Sequence, residues 1–145
     1  MQIKYKKLDD SAIVPTRGSE EAAGYDLYAP KGRTWTIPPH KTIKIGTKLA
    51  FELPCGTFAA IFARSGLATK YGLRPANCVG ACDEDYRGEY IVALRNDSDE
   101  SYTVQGGERI AQLILLPYIS IDEFIPVEEL SETERGDGGF GHSGK

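Results

Sequence analysis

Alternation is the clearest pattern along the chain. From Thr42 to Leu53, Ile43, Ile45, Thr47, Leu49, Phe51 and Leu53 fall on one face, and Lys44, Lys48 and Glu52 fall on the other. A period of two belongs to extended backbone, so this segment is expected as a half-buried strand pair or one bent strand. Gly46 in its interior marks a candidate bulge, and Pro54-Cys55-Gly56 turns the chain into a second apolar run, Thr57 to Ala63. Arg109 to Pro117 is apolar on both faces and reads as a central strand covered on each side, within which Gln112 needs hydrogen-bond partners. Only Arg64 to Gly72 breaks the β pattern: Ser65 is expected to cap a short helix and Gly72 to close it. Turn signals recur about every ten residues, as at Asn96-Asp97-Ser98 and Gln105-Gly106-Gly107, which predicts an all-β sandwich or closed barrel-like fold.

Three stretches carry candidate chemistry. Ala22 to Pro30 is made of small and strand-like residues around Asp26, either a turn residue or a carboxylate aimed at a cation held by phosphates. At Arg64-Ser65-Gly66 a guanidinium, a hydroxyl and free N–H groups converge as an anion site, the simpler reading being a capped helix with a solvated arginine. Asn77 to Tyr90 reads as a β-hairpin with a charged tip at Glu84 and Asp85 and a turn at Arg87-Gly88. Its short residues Val79, Gly80, Ala81 and Cys82 leave backbone groups open to a flat ligand, with Asp83 as acceptor and Tyr86 as a stackable ring; an acidic surface turn is the bland alternative.

Composition narrows the class. The 145 residues, 41% of them hydrophobic, suit a single domain with one core. After Pro126 the chain turns acidic and then glycine-rich, so a body over residues 1–126 and an arm over 127–145 are expected, the arm flexible. A net charge of -4 argues against a long nucleic-acid partner but leaves a single nucleotide open. Cys55, Cys78 and Cys82 form neither a disulfide framework nor a zinc pair, and Met1 to Lys7 is too polar for a signal peptide. A soluble, intracellular and cytoplasmic protein without a membrane span is expected. Asp83-x-Asp85-x-Arg87 fails as an EF-hand loop, and the glycines around Phe140 lack the strand and helix of a P-loop.

Five segments in order, Ala23-Gly-Tyr-Asp-Leu27, Ala63-Arg-Ser-Gly-Leu-Ala68, Asn77 to Glu89, Gly107-Glu-Arg-Ile-Ala-Gln112 and Arg135-Gly-Asp-Gly-Gly-Phe-Gly141, resemble the trimeric dUTP pyrophosphatases (dUTPases) over nearly the whole chain. Departures are few: Ala63 stands where that family often has Pro, Cys82 where a larger aliphatic precedes the aspartate, and His142-Ser143 where Ser-Thr is usual. The resemblance implies a distorted jelly roll of β-clip type with one short helix, in a homotrimer whose active sites are shared between chains. It implies hydrolysis of dUTP to dUMP and pyrophosphate, which keeps uracil out of DNA and supplies dUMP for thymidylate synthesis. Asp83 would act as base on the water that attacks the α-phosphorus, and Gln112 would fix that water. Arg64, Ser65 and Gly66 would bind the phosphates, and Asn77 and Gly80 the base. Tyr86 would pack under the sugar and exclude a ribose hydroxyl. Phe140 would stack on uracil, with Arg135, Gly141 and Ser143 closing on the nucleotide. Mg2+ would bridge the phosphates, held through water by Asp26. The rivals are a dCTP deaminase of the same fold, for which Glu84 or Glu89 would have to activate the base, and a silent jelly-roll binding module.

A glycine-rich arm loses entropy when ordered, a cost offset only when a complete nucleotide fills the site. Deleting the chain from Arg135 onward is therefore expected to leave the oligomer folded but lower kcat/KM for dUTP by at least about a hundredfold through lost positioning. Full activity of the truncated protein would remove the arm from catalysis.

Overall fold

The computed structural model describes residues 1–139; Phe140, Gly141 and Ser143 lie outside the described residues. Among the described residues twelve strands and one helix follow one another: β1 (Lys4–Lys7), β2 (Thr16–Arg17), β3 (Tyr25–Tyr28), β4 (Thr34–Ile37), β5 (Thr42–Gly46), β6 (Leu49–Glu52), β7 (Thr57–Phe62), α1 (Ser65–Tyr71), β8 (Leu73–Pro75), β9 (Gly80–Cys82), β10 (Ile91–Asn96), β11 (Tyr102–Gln105) and β12 (Arg109–Pro117). The fold is the expected all-β jelly roll with a short helix. Its largest sheet has the order β2-β3-β12-β7-β9, a smaller one β5-β10-β8, and two-stranded ladders join β1 to β6 and β11 to β4. Leu27, Ile37, Ile45, Leu49, Leu73, Leu94 and Ile110 fill the core between them. No helix among the described residues is long and apolar enough to cross a membrane.

The alternating stretch from Thr42 is two strands in two sheets. Lys48, at φ 60°, turns the chain between β5 and β6, and the predicted inward face is buried from Ile45 to Leu53. Gly46 is not a bulge, since its pairing with Ile91 continues the regular register of β5 and β10. The apolar run Arg109 to Pro117 is β12, central as expected and flanked by β3 and β7. It carries the real irregularity, a shift of register against β3 between Arg109 and Ala111.

Two expectations are corrected. Ser65 is not the helix cap: Arg64 occupies that position with extended backbone and no capping side chain, and Ser65 opens the helix, its carbonyl accepting from the Thr69 hydroxyl at 2.7 Å. Gly72 does close α1, in the left-handed conformation at φ 65°. Nor is Asn77 to Tyr90 a hairpin. β9 pairs with β7 and β10 with β5 and β8, so the two arms of this loop belong to different sheets and form no ladder with each other. The loop bridges the sandwich instead.

Beyond Pro117 the described residues form no strand or helix, and Ile119, Phe124 and Leu130 are 93%, 85% and 86% exposed. The turn after β10 is held by one fully buried side chain. Asn96 Nδ2 donates to the carbonyls of Ile37 and Glu100 at 3.0 and 2.7 Å, while its Oδ1 accepts from the Ser98 N–H at 2.9 Å. Removing it strands buried backbone groups, each costing about 1–3 kcal/mol. Asn96→Ala is thus expected to lower the unfolding free energy by about 2–4 kcal/mol in denaturant titration, against less than about 0.5 for an ordinary surface change.

Candidate active site

Two cavities collect the residues singled out in the sequence. The first, of about 370 Å³, is lined by Gly24, Asp26, Arg64, Ser65, Gly66, Arg109 and Gln112 among others. Its geometry follows from β12. Gln112 lies opposite Asp26 on β3 and Phe62 on β7, and its amide donates to the Ala63 carbonyl at 2.9 Å, tying the central strand to the chain entering α1. The Gln112 amide packs so close to Gly24 that a Cβ there would lie 2.6 Å from its oxygen, so a side chain at this position would displace the amide. Asp26 is a strand residue, not a turn residue. Its carboxylate accepts from Arg64 Nε at 2.8 Å and from Arg109 Nη1 at 3.3 Å, and its side chain is only 13% exposed.

Arg109 is the site residue that alternation hides. Residues 109 and 112 have opposite parity and would face opposite sides of a regular strand. The register shift at Arg109 and Ala111 sets Arg109 opposite Tyr28, hence on the face of Asp26 and Gln112. Two guanidinium groups therefore flank one carboxylate, leaving a net positive charge beside the N–H groups of Ser65 and Gly66. Such a cavity suits phosphate oxygens.

The second cavity, of about 270 Å³, is lined by Asn77, Gly80, Ala81, Cys82, Asp83, Tyr86 and Tyr90 together with apolar side chains of β7 and β10. β9 presents its backbone here because it runs along β7, with Gly80 opposite Ile61 and Cys82 opposite Ala59. Asp83 leaves the sheet at the end of β9, and its carbonyl accepts from the Tyr86 N–H at 3.2 Å to form a tight turn. The Tyr86 hydroxyl donates to the Glu89 carbonyl at 3.1 Å, and its ring lies where a Cβ on residue 88 would be, which explains Gly88. A flat wall of backbone with a phenol ring and a carboxylate at its rim suits a nucleobase and sugar.

Carboxylates on either side of the turn hold this loop. Glu84 accepts from the Gly56 N–H at 2.6 Å and the Tyr118 hydroxyl at 3.0 Å, contacts that keep its carboxyl below the ordinary carboxylate range. Glu89 accepts from the Lys48 N–H at 3.0 Å and folds over Gly46, where a side chain would push its carboxylate aside. Behind the wall, burial pushes the Cys82 thiol and the Tyr90 hydroxyl up. A thiol raised in this way is a poorer nucleophile than a free one.

The two cavities share no lining residue. Gln112 sits opposite Phe62 at one end of β7, and Asp83 emerges past Ala59 toward the other, about 13 Å away at ~3.3 Å per residue. Within one chain Asp83 and Gln112 are thus not brought together. Arg135 is exposed and donates to the Gly138 carbonyl of its own segment at 2.8 Å. Among the described residues no three His, Cys, Asp or Glu side chains gather where they could hold a metal ion.

Comparison with known proteins matches this geometry to a family. The dUTPase family profile covers residues 10–144. Deoxyuridine 5'-triphosphate nucleotidohydrolases of Desulfitobacterium hafniense and Nautilia profundicola are 48% and 46% identical, over 99% and 100% of this chain and 95% and 100% of their own. Among solved structures, a dUTPase of Staphylococcus bacteriophage 80alpha, determined with dUpNHpp, superposes with a TM-score of 0.88 at 30% identity, covering 99% of each chain. The five segments and the jelly roll thereby meet in one assignment: the chain belongs to the dUTPase family, enzymes that hydrolyse dUTP.

Proposed function

We propose that the two cavities are halves of one active site, completed between subunits of a homotrimer, in which dUTP is cleaved to dUMP and pyrophosphate. The observation that carries this reading is the separation of Asp83 from Gln112, Arg64 and Arg109 within a single chain. A triphosphate whose base fills one cavity needs the other cavity from a neighbour. The exposed apolar side chains at Ile119, Ile121, Phe124 and Ile125 support oligomerisation, since a monomer gains nothing by leaving them in water.

In this reading the uracil lies along Gly80 and Asn77 and the deoxyribose on Tyr86, whose ring leaves no room for a 2'-hydroxyl. Backbone donors and acceptors along the wall match uracil and mismatch cytosine, at roughly 1–3 kcal/mol per unpaired buried group. Arg64, Arg109, Ser65 and Gly66 neutralise and align the phosphates. Asp83 accepts a proton from the water that attacks the α-phosphorus, and the Gln112 amide orients that water. Asp26, a single carboxylate, would hold Mg2+ through water, since that ion takes phosphate ligands and keeps several waters; when bound it would supply charge neutralisation for the pyrophosphate leaving group. The body, residues 1–126, supplies both cavities, and the arm, 127–145, brings Arg135, Phe140, Gly141 and Ser143 over the nucleotide. Free thiols at Cys55, Cys78 and Cys82 fit a reducing, cytoplasmic setting.

The deaminase alternative gains no support. Its two candidate bases, Glu84 and Glu89, are each engaged by backbone N–H groups of neighbouring turns.

Asp83→Asn keeps the shape of the site and loses the base, so dUTP affinity is expected to stay within about tenfold while kcat falls by two orders of magnitude or more. Near-normal turnover would remove Asp83 from this role. Division of the site between chains has its own test. Trimers of Asp83→Asn alone and of Arg64→Ala alone are expected to be nearly inactive, whereas trimers reassembled from an equal mixture regain on the order of a tenth or more of wild-type activity, because some sites draw both halves from intact positions. No recovery on mixing means that each site is built from one chain.

A further inference from the structure

We propose that Glu84 is a positioning residue, holding the Asp83 turn at the catalytic distance by anchoring it to the root of the C-terminal segment. This rests on the reading of Asp83 as the base. Glu84 follows Asp83 directly in the chain but does not line the nucleotide cavity; it lines an adjoining cavity of about 470 Å³ with Phe58, Asp85 and Tyr118, the two cavities sharing Ala81 and Asp83. A single oxygen, Oε2, accepts both the Gly56 N–H at 2.6 Å and the Tyr118 hydroxyl at 3.0 Å. Tyr118 is in turn fixed by its own N–H, which donates to the Gly56 carbonyl at 3.2 Å.

The three residues close a small circuit. Gly56 belongs to the turn between β6 and β7, Tyr118 is the first residue beyond β12, and Glu84 belongs to the loop between β9 and β10. The far side of the loop is closed by Arg87, which donates to the Glu84 carbonyl at 2.6 Å. The backbone on both sides of Glu84 is thus held, and Asp83, one peptide away, has little freedom to shift. Without the carboxylate the short turn from Asp83 to Tyr86 keeps one backbone hydrogen bond of 3.2 Å. Displacement of a base by about 1 Å costs up to a hundredfold in rate with little effect on ground-state binding. The loss therefore belongs in kcat, not KM.

Use of one oxygen makes the test specific, because an amide oxygen can accept the same two hydrogen bonds. Glu84→Ala is expected to lower kcat by about tenfold or more with KM for dUTP within about threefold, Glu84→Gln to restore at least about half of kcat, and Tyr118→Phe, which removes one hydroxyl, to lower kcat about two- to fivefold. Rates are taken per active site titrated with a non-hydrolysable dUTP analogue, so that misfolded protein does not count. If Glu84→Ala lowers only the thermal midpoint and keeps kcat per titrated site, or if Glu84→Gln is as slow as Glu84→Ala, the inference is overturned. Should Glu84→Ala fail to fold, Tyr118→Phe decides, and an unchanged kcat there refutes it. A fully active Asp83→Asn removes the base assignment and this inference with it, whereas an inactive Asp83→Asn beside a full-speed Glu84→Ala removes only the latter.

Discussion

A polar side chain in the middle of an apolar central strand has to find a partner, and Gln112 finds the Ala63 carbonyl. Much of the phosphate cavity depends on that hydrogen bond. It fixes where β7 ends and α1 begins, and so where Arg64 leaves the sheet. Arg64 then meets Asp26 on the opposite neighbour of β12, so one strand sets both walls. Gly24 completes the arrangement by offering no side chain where the Gln112 amide must lie. The surrounding apolar residues of β12 supply the burial that makes an unpaired amide costly, and thereby make its orientation definite.

Local pattern revealed what local physics determines. The alternation from Ile43 to Leu53 gave the buried face correctly, because side chains on a strand have only two directions. β1 was invisible for the complementary reason: Lys4, Tyr5, Lys6 and Lys7 are all exposed, and an edge strand without a buried face has no period to read. Which strands pair is a long-range matter, so Asn77 to Tyr90 resembled a hairpin although its two arms join different sheets. Arg109 escaped notice because a single irregularity of register reverses parity, and nothing in Arg-Ile-Ala-Gln marks where that irregularity falls. The site residues found from sequence came chiefly through family resemblance. The structure adds what motifs do not carry, namely that two of those motifs face cavities with no lining residue in common on one chain.

That separation divides the labour within the fold. The five-stranded sheet contributes to both cavities, one beside Gln112 on β12 and the other along β9, where different loops enter. One cavity is dominated by guanidinium groups, the other by backbone and aromatic surface. In the proposed reading, charge recognition and shape recognition would thus stay electrostatically apart, and a wall of neutral amides would read a base edge without competing cations beside it.

The contact of Glu89 with Gly46 bears on how this sequence is able to change. With Glu89 in its present rotamer a Cβ at residue 46 would overlap the carboxylate, so a replacement of that glycine requires the carboxylate to swing aside. Shortening residue 89 opens the position, at the cost of the acceptor for the Lys48 N–H. A side chain at position 46 and the Glu89 hydrogen bond to the Lys48 N–H therefore compete for the same space. Two positions 43 apart in the sequence are in this way coupled through one carboxylate.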